Sequence, residues 1–386
     1  MTPPAASSSS TNGPVANVDA SLPATPLTRP EHRQRRGQST SPAPSSRERY
    51  RNLPDPIYGV RVSRVGLVLG GGGITGASYE MAALMAIRLA TGWDPNEAEV
   101  VVGTSGGAFV TSLVRNDALT LDSLVMPTDD REAVAERIRS HVFTKNGGVR
   151  VSTWVRHGIV PGIRDPGLTL FLGSPAPYHA SGLAKWVKSH IGEERGESWP
   201  VQPTAVVAYD VVRRGRVVFG TETAPETGMA HAVAASSAIP LLFRPYSIDG
   251  GLYVDGGISS GTHADVVLGS DRPLDLVLIL APMAADVQRK RARFHEKMFD
   301  RVGQRSLGDE IRLIKSAWPD CEVMTLSPTP SVQNAMRPNP MDASRAVATF
   351  MRTLISMKRI LAQPDIWDVL DDHLQPARPS KRAALG

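Results

Sequence analysis

Val62-Ser63-Arg64-Val65-Gly66-Leu67-Val68-Leu69-Gly70-Gly71-Gly72-Gly73-Ile74-Thr75-Gly76 decides the fold of this chain. A largely apolar run stops at four consecutive glycines, which is how a buried strand feeds a tight turn. From Ser78 to Thr91 the residues Met81, Leu84, Met85 and Leu89 recur at helical spacing, so a helix follows the glycines. The pattern then repeats. Val100-Val101-Val102 is a short β-branched run that closes on Gly103-Thr104-Ser105-Gly106-Gly107, and Ala108 to Val114 reads as helix. Strand, glycine turn and helix, twice in succession, predict a parallel sheet covered on both faces.

The same reading extends outward. Asp129 to Phe143 is a polar amphipathic helix, and Ser181 to Ile191 is another. Between them, residues 146–182 form an insertion rich in Gly and Pro that carries Trp154, Phe171 and Tyr178. It reads equally as a lid or surface-binding segment and as an ordinary insertion. Thr204 to Asp210 and Arg216 to Gly220 read as strands joined by the turn at Arg213-Arg214-Gly215, and Met229 to Ser237 as a helix. Gly251-Leu252-Tyr253-Val254 leads into Asp255-Gly256-Gly257, and Leu274 to Leu280 is a buried strand. Ala284 to Trp318 and Met341 to Leu361 are long amphipathic helices.

Composition sets the limits of this plan. The 386 residues are 41% apolar, enough for one large domain or two smaller ones. Ten prolines fall within residues 1–56, a Pro/Ser/Arg-rich stretch without apolar periodicity, which reads as a disordered tail. The expected organisation is that tail, a catalytic body at 62–280, a helical extension at 281–375 packed on the same domain, and a flexible end at 376–386. Of the formal charge of +5, residues 1–52 supply +4, from seven arginines against Asp19, Glu31 and Glu48. The basic character belongs to the tail, so the body is not expected to bind nucleic acid. The single cysteine, Cys321, excludes an intrachain disulfide and a Cys-rich metal site. No apolar run is long enough to span a bilayer, and residues 1–10 have neither the basic nor the apolar region of a secretory signal. A cytoplasmic chain is expected, with peripheral membrane contact left open.

Gly103-x-Ser105-x-Gly107 lies between a strand and a helix. A sharp turn there strains its central residue and presents the serine hydroxyl at the carboxyl edge of the sheet, where it serves as a nucleophile. The alternative is a loop serine that merely caps a helix. The first turn fits G-x-G-x-x-G at Gly71, Gly73 and Gly76. A dinucleotide site would need an acidic residue closing the second strand, about 20 residues on. Glu97 and Glu99 instead precede that strand, which closes on Gly103-Thr104-Ser105. The glycine N–H groups fit better as donors to the oxyanion of a tetrahedral intermediate. Asp255-Gly256-Gly257 presents either an edge carboxylate or a plain D-G turn, and composition does not choose between them. No histidine sits in a short motif at a strand end. His231 and His263 are the two least improbable bases.

Taken together, these blocks resemble the patatin-like phospholipase family. Gly71-Gly72-Gly73-Ile74-Thr75-Gly76 resembles its oxyanion loop, and Gly103-Thr104-Ser105-Gly106-Gly107 its nucleophile elbow. Asp255-Gly256-Gly257 resembles its D-G-G/A motif, and Ala235-Ser236-Ser237-Ala238-Ile239-Pro240 is similar to a further block ahead of that aspartate. The resemblance implies a three-layer α/β/α fold with a mainly parallel sheet. It implies lipid acyl-ester hydrolysis by a Ser105–Asp255 dyad without histidine, cofactor or metal, with Gly71, Gly72 and Gly73 as oxyanion donors. The substrate would be a lipid at a membrane or micelle surface. An acyltransferase or thioesterase on the same dyad, or a non-catalytic lipid- or nucleotide-binding protein, shares the motifs. One departure is Thr75, where many members carry Arg or Lys to steady the loop. Arg289, Lys290, Arg291, Arg293 and Lys297 read either as a face for anionic lipid or as a solvated helix surface.

Overall fold

The computed structural model of the chain describes residues 63–121, 130–145, 151–159, 172–284 and 294–374. The tails at 1–56 and 376–386, the middle of the 146–182 insertion and the run from Arg289 to Arg293 lie outside the described residues.

Five strands run parallel: β1 (Val65–Leu69), β2 (Val100–Thr104), β5 (Thr204–Asp210), β9 (Leu276–Leu280) and β10 (Glu322–Leu326). Every residue of β1, β2 and β9 is buried, as continuous Val/Leu/Ile runs require when both faces of a sheet are covered. A short ladder, β3 (Thr144–Lys145) with β4 (Tyr178–His179), stands apart. The sheet is completed by β6 (Gly215–Phe219), β7 (Tyr246–Ile248) and β8 (Gly251–Asp255), giving eight strands in the order β10-β9-β1-β2-β5-β8-β7, with β6 paired to β5.

The register around β5 assembles the site. On one edge, residues 206–210 of β5 pair with antiparallel β6. On the other edge, Thr204 to Val207 pair with parallel β2, and Ala208 to Asp210 with antiparallel β8. β2 and β8 therefore meet tip to tip along a single edge. Thr104 pairs with Val207 and Asp255 with Ala208, the next residue, so the serine turn and the aspartate arrive at the same depth from opposite directions.

Helices cover both faces. On one side lie α1 (Gly73–Thr91), α2 (Gly106–Arg115), α3 (Arg131–Val142), α4 (Ser181–Ile191) and α5 (Met229–Ser236). On the other, α6 (Phe294–Ala317) packs Leu307 and Ile314 against Val68, Val102, Val207 and Ile279. The result is a three-layer α/β/α fold on a mainly parallel sheet. After β10 come α7 (Pro330–Met336), α8 (Ala346–Ile360) and α9 (Pro364–His373). α8 packs along α1, burying Phe350 and Met357, so this extension shares the main core.

Candidate active site

Ser105 is where β2 becomes α2. Its backbone takes φ 54 and ψ −120, outside the regions an L-residue prefers, and its side chain makes no capping bond to α2. The hydroxyl is thus spared the ordinary work of a helix-cap serine. The strained backbone is held from both sides. The Ser105 N–H donates to the Ser236 hydroxyl at 2.9 Å, and the Ser237 hydroxyl donates to the Ser105 carbonyl at 3.1 Å. Ser236 in turn donates to the Val207 carbonyl at 2.6 Å, anchoring the elbow to β5. Gly107 lies where the elbow crosses β1: a Cβ there would stand 2.2 Å from the Leu69 carbonyl oxygen. Gly103, at the end of β2, lies against Thr111 of α2.

Asp255 ends β8, and its Oδ1 accepts from the Gly257 N–H at 2.7 Å. Its own N–H donates to the Ala238 carbonyl at 3.1 Å, so the Ala235–Pro240 block ties aspartate and serine to one scaffold. Gly256 packs against the Val207 carbonyl. Burial raises the Asp255 carboxyl from 3.8 to about 6, opposed by hydrogen bonds from the Ser105 side chain and the Gly257 N–H. The carboxylate is therefore a stronger base than an exposed aspartate and is ionised at neutral pH.

The glycine loop lies alongside. A Cβ on Gly71 would stand 3.4 Å from the Ser105 Cβ, and one on Gly106 would stand 2.4 Å from the Gly73 carbonyl oxygen. The Gly71 N–H already donates to the Gly261 carbonyl at 2.7 Å, so it serves as an anchor of the loop. Among the described residues, the N–H groups of Gly72 and Gly73 have no protein acceptor and remain as donors. Gly73, at φ +59, opens α1, so the N-termini of α1 and α2 meet at one spot, a favourable place for negative charge. Thr75, the departure noted above, is wholly buried, and its N–H donates to the Pro340 carbonyl at 3.0 Å. Gly72 and Gly76 lie against Pro282. Backbone anchors at Gly261 and Pro340 thus hold the loop from two sides where a cation is absent.

The segment after Asp255 is itself clamped. Glu310 of α6 accepts from the hydroxyls of Ser260 and Thr262, at 2.5 and 2.6 Å, and from the Ala264 N–H at 2.8 Å. Burial pushes its carboxyl up. His263 joins the Thr104 and Ser259 hydroxyls at 3.2 and 3.0 Å. Burial pushes its imidazole down to about 3, so it is neutral. It braces the strand end beside Ser105 and is bonded there to Thr104. His231 lies elsewhere, with Nδ1 2.7 Å from the Tyr246 hydroxyl and Nε2 facing Glu197. The ring nitrogens of both histidines are thus engaged with groups other than Ser105.

Ser105 and Gly106 stand at an apolar groove of about 620 Å³, measured out to its open mouth. α1 gives it Ile74, Ala77 and Met81, and α2 gives Phe109. Ile138 and Val142 come from α3, Leu183 and Trp186 from α4, with Ile239 and Met341 beside them. The lining suits a hydrocarbon chain. Sequence reasoning gives no role to Ser236, Ser237, Gly261, Glu310 or Met341. The Ala235–Pro240 block is the signal for the two serines. The other three have none.

A family model described as patatin-like phospholipase matches residues 67–268. No curated protein matches the chain. Among solved structures, VipD from Legionella pneumophila is similar at 15% identity and TM-score 0.30, over 83% of this chain and 72% of that one. Human GIVD cytosolic phospholipase A2 in complex with methyl gamma-linolenyl fluorophosphonate is similar at 14% identity and TM-score 0.36, over 83% of this chain and 61% of that one. The same human enzyme with that inhibitor and terbium chloride gives 13% identity, TM-score 0.38 and 81% and 60% coverage. The chain thus spans about three fifths of the human enzyme's length.

Proposed function

The chain belongs to the patatin-like phospholipase family, and from that premise we propose that it is a serine lipid acyl hydrolase working through Ser105 and Asp255. One observation carries the reading. A serine with a strained backbone and no capping bond stands by a buried, base-strengthened carboxylate, whose ionised form it favours, at an apolar groove.

The chemistry follows from the arrangement. The substrate's acyl chain lies in the groove, and its ester carbonyl sits over Ser105. Asp255 takes the hydroxyl proton as the Ser105 Oγ attacks the carbonyl carbon. The negative charge that develops on the carbonyl oxygen is met by the Gly72 and Gly73 N–H groups at the start of α1. Collapse of the tetrahedral intermediate expels the alcohol, which takes its proton from Asp255, and leaves an acyl-serine. Water then enters, gives its proton to Asp255 and attacks the acyl carbon. The acid leaves, and Ser105 regains its proton. No histidine takes part.

The test is a fluorophosphonate probe together with a panel of phospholipids, lysophospholipids, triglycerides and short soluble esters. Labelling and hydrolysis are expected in the wild type and not in Ser105→Ala. Asp255→Asn should lose hydrolysis while staying folded. Hydrolysis that persists in Ser105→Ala refutes the assignment. Product analysis with an added alcohol separates hydrolysis from acyl transfer.

A further inference from the structure

We infer that the sheet edge bearing Ser105 carries a docking face for anionic phospholipid bilayers, built from an aliphatic ridge and a cluster of arginines. The inference rests on the lipid-hydrolase reading for its purpose, but not for its evidence.

The placement follows from topology. β2 and β5 are parallel, so the β5–β6 turn leaves the sheet at the edge where β2 delivers Ser105. That turn exposes Val212 (54%) beside Arg213 and Arg214. The chain around it is continuous in space. Buried Leu172 packs with Val211 and Val254. Its neighbour Gly173 lies against the backbone of Thr153, in the short helical stretch 151–159, and Ser174 accepts from the Leu241 N–H at 2.9 Å. Arg214 acts electrostatically on His157 of that same stretch.

Exposure and strain coincide on this edge. Val151 (47%), Val155 (42%) and Leu241 (55%) present aliphatic side chains to solvent. Leu241 does so at φ 70, a conformation that is unfavourable for a bulky residue. A strained backbone that holds a leucine outward gains nothing from the protein's own core. Two residues earlier, Ile239 lines the acyl groove, so the ridge begins at the mouth of that groove. Basic side chains outnumber acidic ones: Arg156, Arg213 and Arg214 are exposed here. Arg213 stands 4.0 Å from buried Asp210, and Asp249 is the exposed acid nearby. Aliphatic side chains that enter the acyl boundary, flanked by arginines at headgroup level, match an anionic lipid surface. Docking by this edge would turn the groove mouth towards the membrane.

The experiment is co-sedimentation of the full chain with phosphatidylcholine vesicles, with and without phosphatidylserine. Wild type should bind more with phosphatidylserine present. Arg213→Glu/Arg214→Glu should cut that binding about 25-fold or more, at about fivefold for each arginine charge removed. Val212→Asp/Leu241→Asp should cut binding to both kinds of vesicle, and Arg156→Glu serves if the aliphatic double variant does not fold. All variants should hydrolyse a short soluble ester as wild type does. Unchanged sedimentation overturns the inference. So does light scattering showing that the variants lose self-association while vesicle binding stands, because the face would then belong to a second copy of the chain. If wild type hydrolyses no ester, the proposed activity fails, and sedimentation still judges the docking face.

Discussion

The base strength of Asp255 makes the sharpest prediction. Its carboxyl titrates at about 6 instead of 3.8, chiefly because it is buried. In the proposed mechanism the deprotonated form is the one that accepts the Ser105 proton. Its population falls from about 90% at pH 7 to about 9% at pH 5, so kcat/KM should drop about tenfold over that interval. An unperturbed aspartate would stay more than about 90% ionised at pH 5 and would show no such fall. The assay is hydrolysis of a soluble short-chain ester from pH 4.5 to 8.5, stopped and read by chromatography, so that membrane binding adds no pH dependence of its own. His263, held at about 3, is silent across the range. Glu310 is also raised and grips the same segment, so Glu310→Gln is the control and should leave the limb near pH 6 in place. The same shift acts on stability. A carboxyl raised on folding favours the protonated native state, so its contribution is complete below about 4 and is lost as pH rises through about 6. The shift of about two units corresponds to about 3 kcal/mol. Asp255→Asn should therefore melt higher than wild type at pH 8, by up to that amount less the hydrogen bonds it loses, and should show little gain at pH 4. An activity limb near pH 4, or an Asp255→Asn protein that keeps its activity, refutes the reasoning.

Other consequences are simpler to test. Gly106→Ala puts a Cβ 2.4 Å from the Gly73 carbonyl oxygen and must push the glycine loop off the serine; kcat should fall by about 10²-fold or more while the melting temperature changes little. Ser236→Ala leaves the Ser105 N–H without its buried acceptor; the cost should be about 1–3 kcal/mol in denaturant unfolding, with a parallel loss of kcat. Ile138→Trp fills the groove beyond Ser105; hydrolysis of long-chain esters should fall at least tenfold relative to butyrate esters, and equal losses on both would refute the groove as the acyl site.

Much of the molecule is legible in the sequence because local chemistry and tertiary position agree. The helix Ser181–Ile191 and the strand Thr204–Asp210 appear with the boundaries that the apolar spacing implies. α1 is different. Its spacing starts a helix at Ser78, but the helix begins at Gly73, because the Pro340 carbonyl, Pro282 and the Ser105 turn hold the glycine loop at its start and carry Gly76 into a helical path that propensity disfavours. Similarly, α8 begins at Ala346 and not Met341, leaving Pro340 and Met341 as loop residues at the site. β10 is hidden because Glu322–Leu326 is a half-exposed edge strand with weak alternation, and β7 because it is three residues long. The anchoring role of Gly71 is hidden too, since its acceptor, Gly261, is remote in sequence. Asp255 cannot be told from an ordinary turn residue until the pairing of β8 with β5 is known.

The end-to-end meeting of β2 and β8 also has a bearing on biosynthesis. Ser105 leaves the ribosome long before Asp255 does, and the two are brought together only when β8 takes its place on the upper half of β5. A nascent or partly unfolded chain carries the hydroxyl without its proton acceptor. On the proposed mechanism, ester cleavage therefore awaits the pairing of β8 with β5, so the order of assembly sets when the site becomes competent.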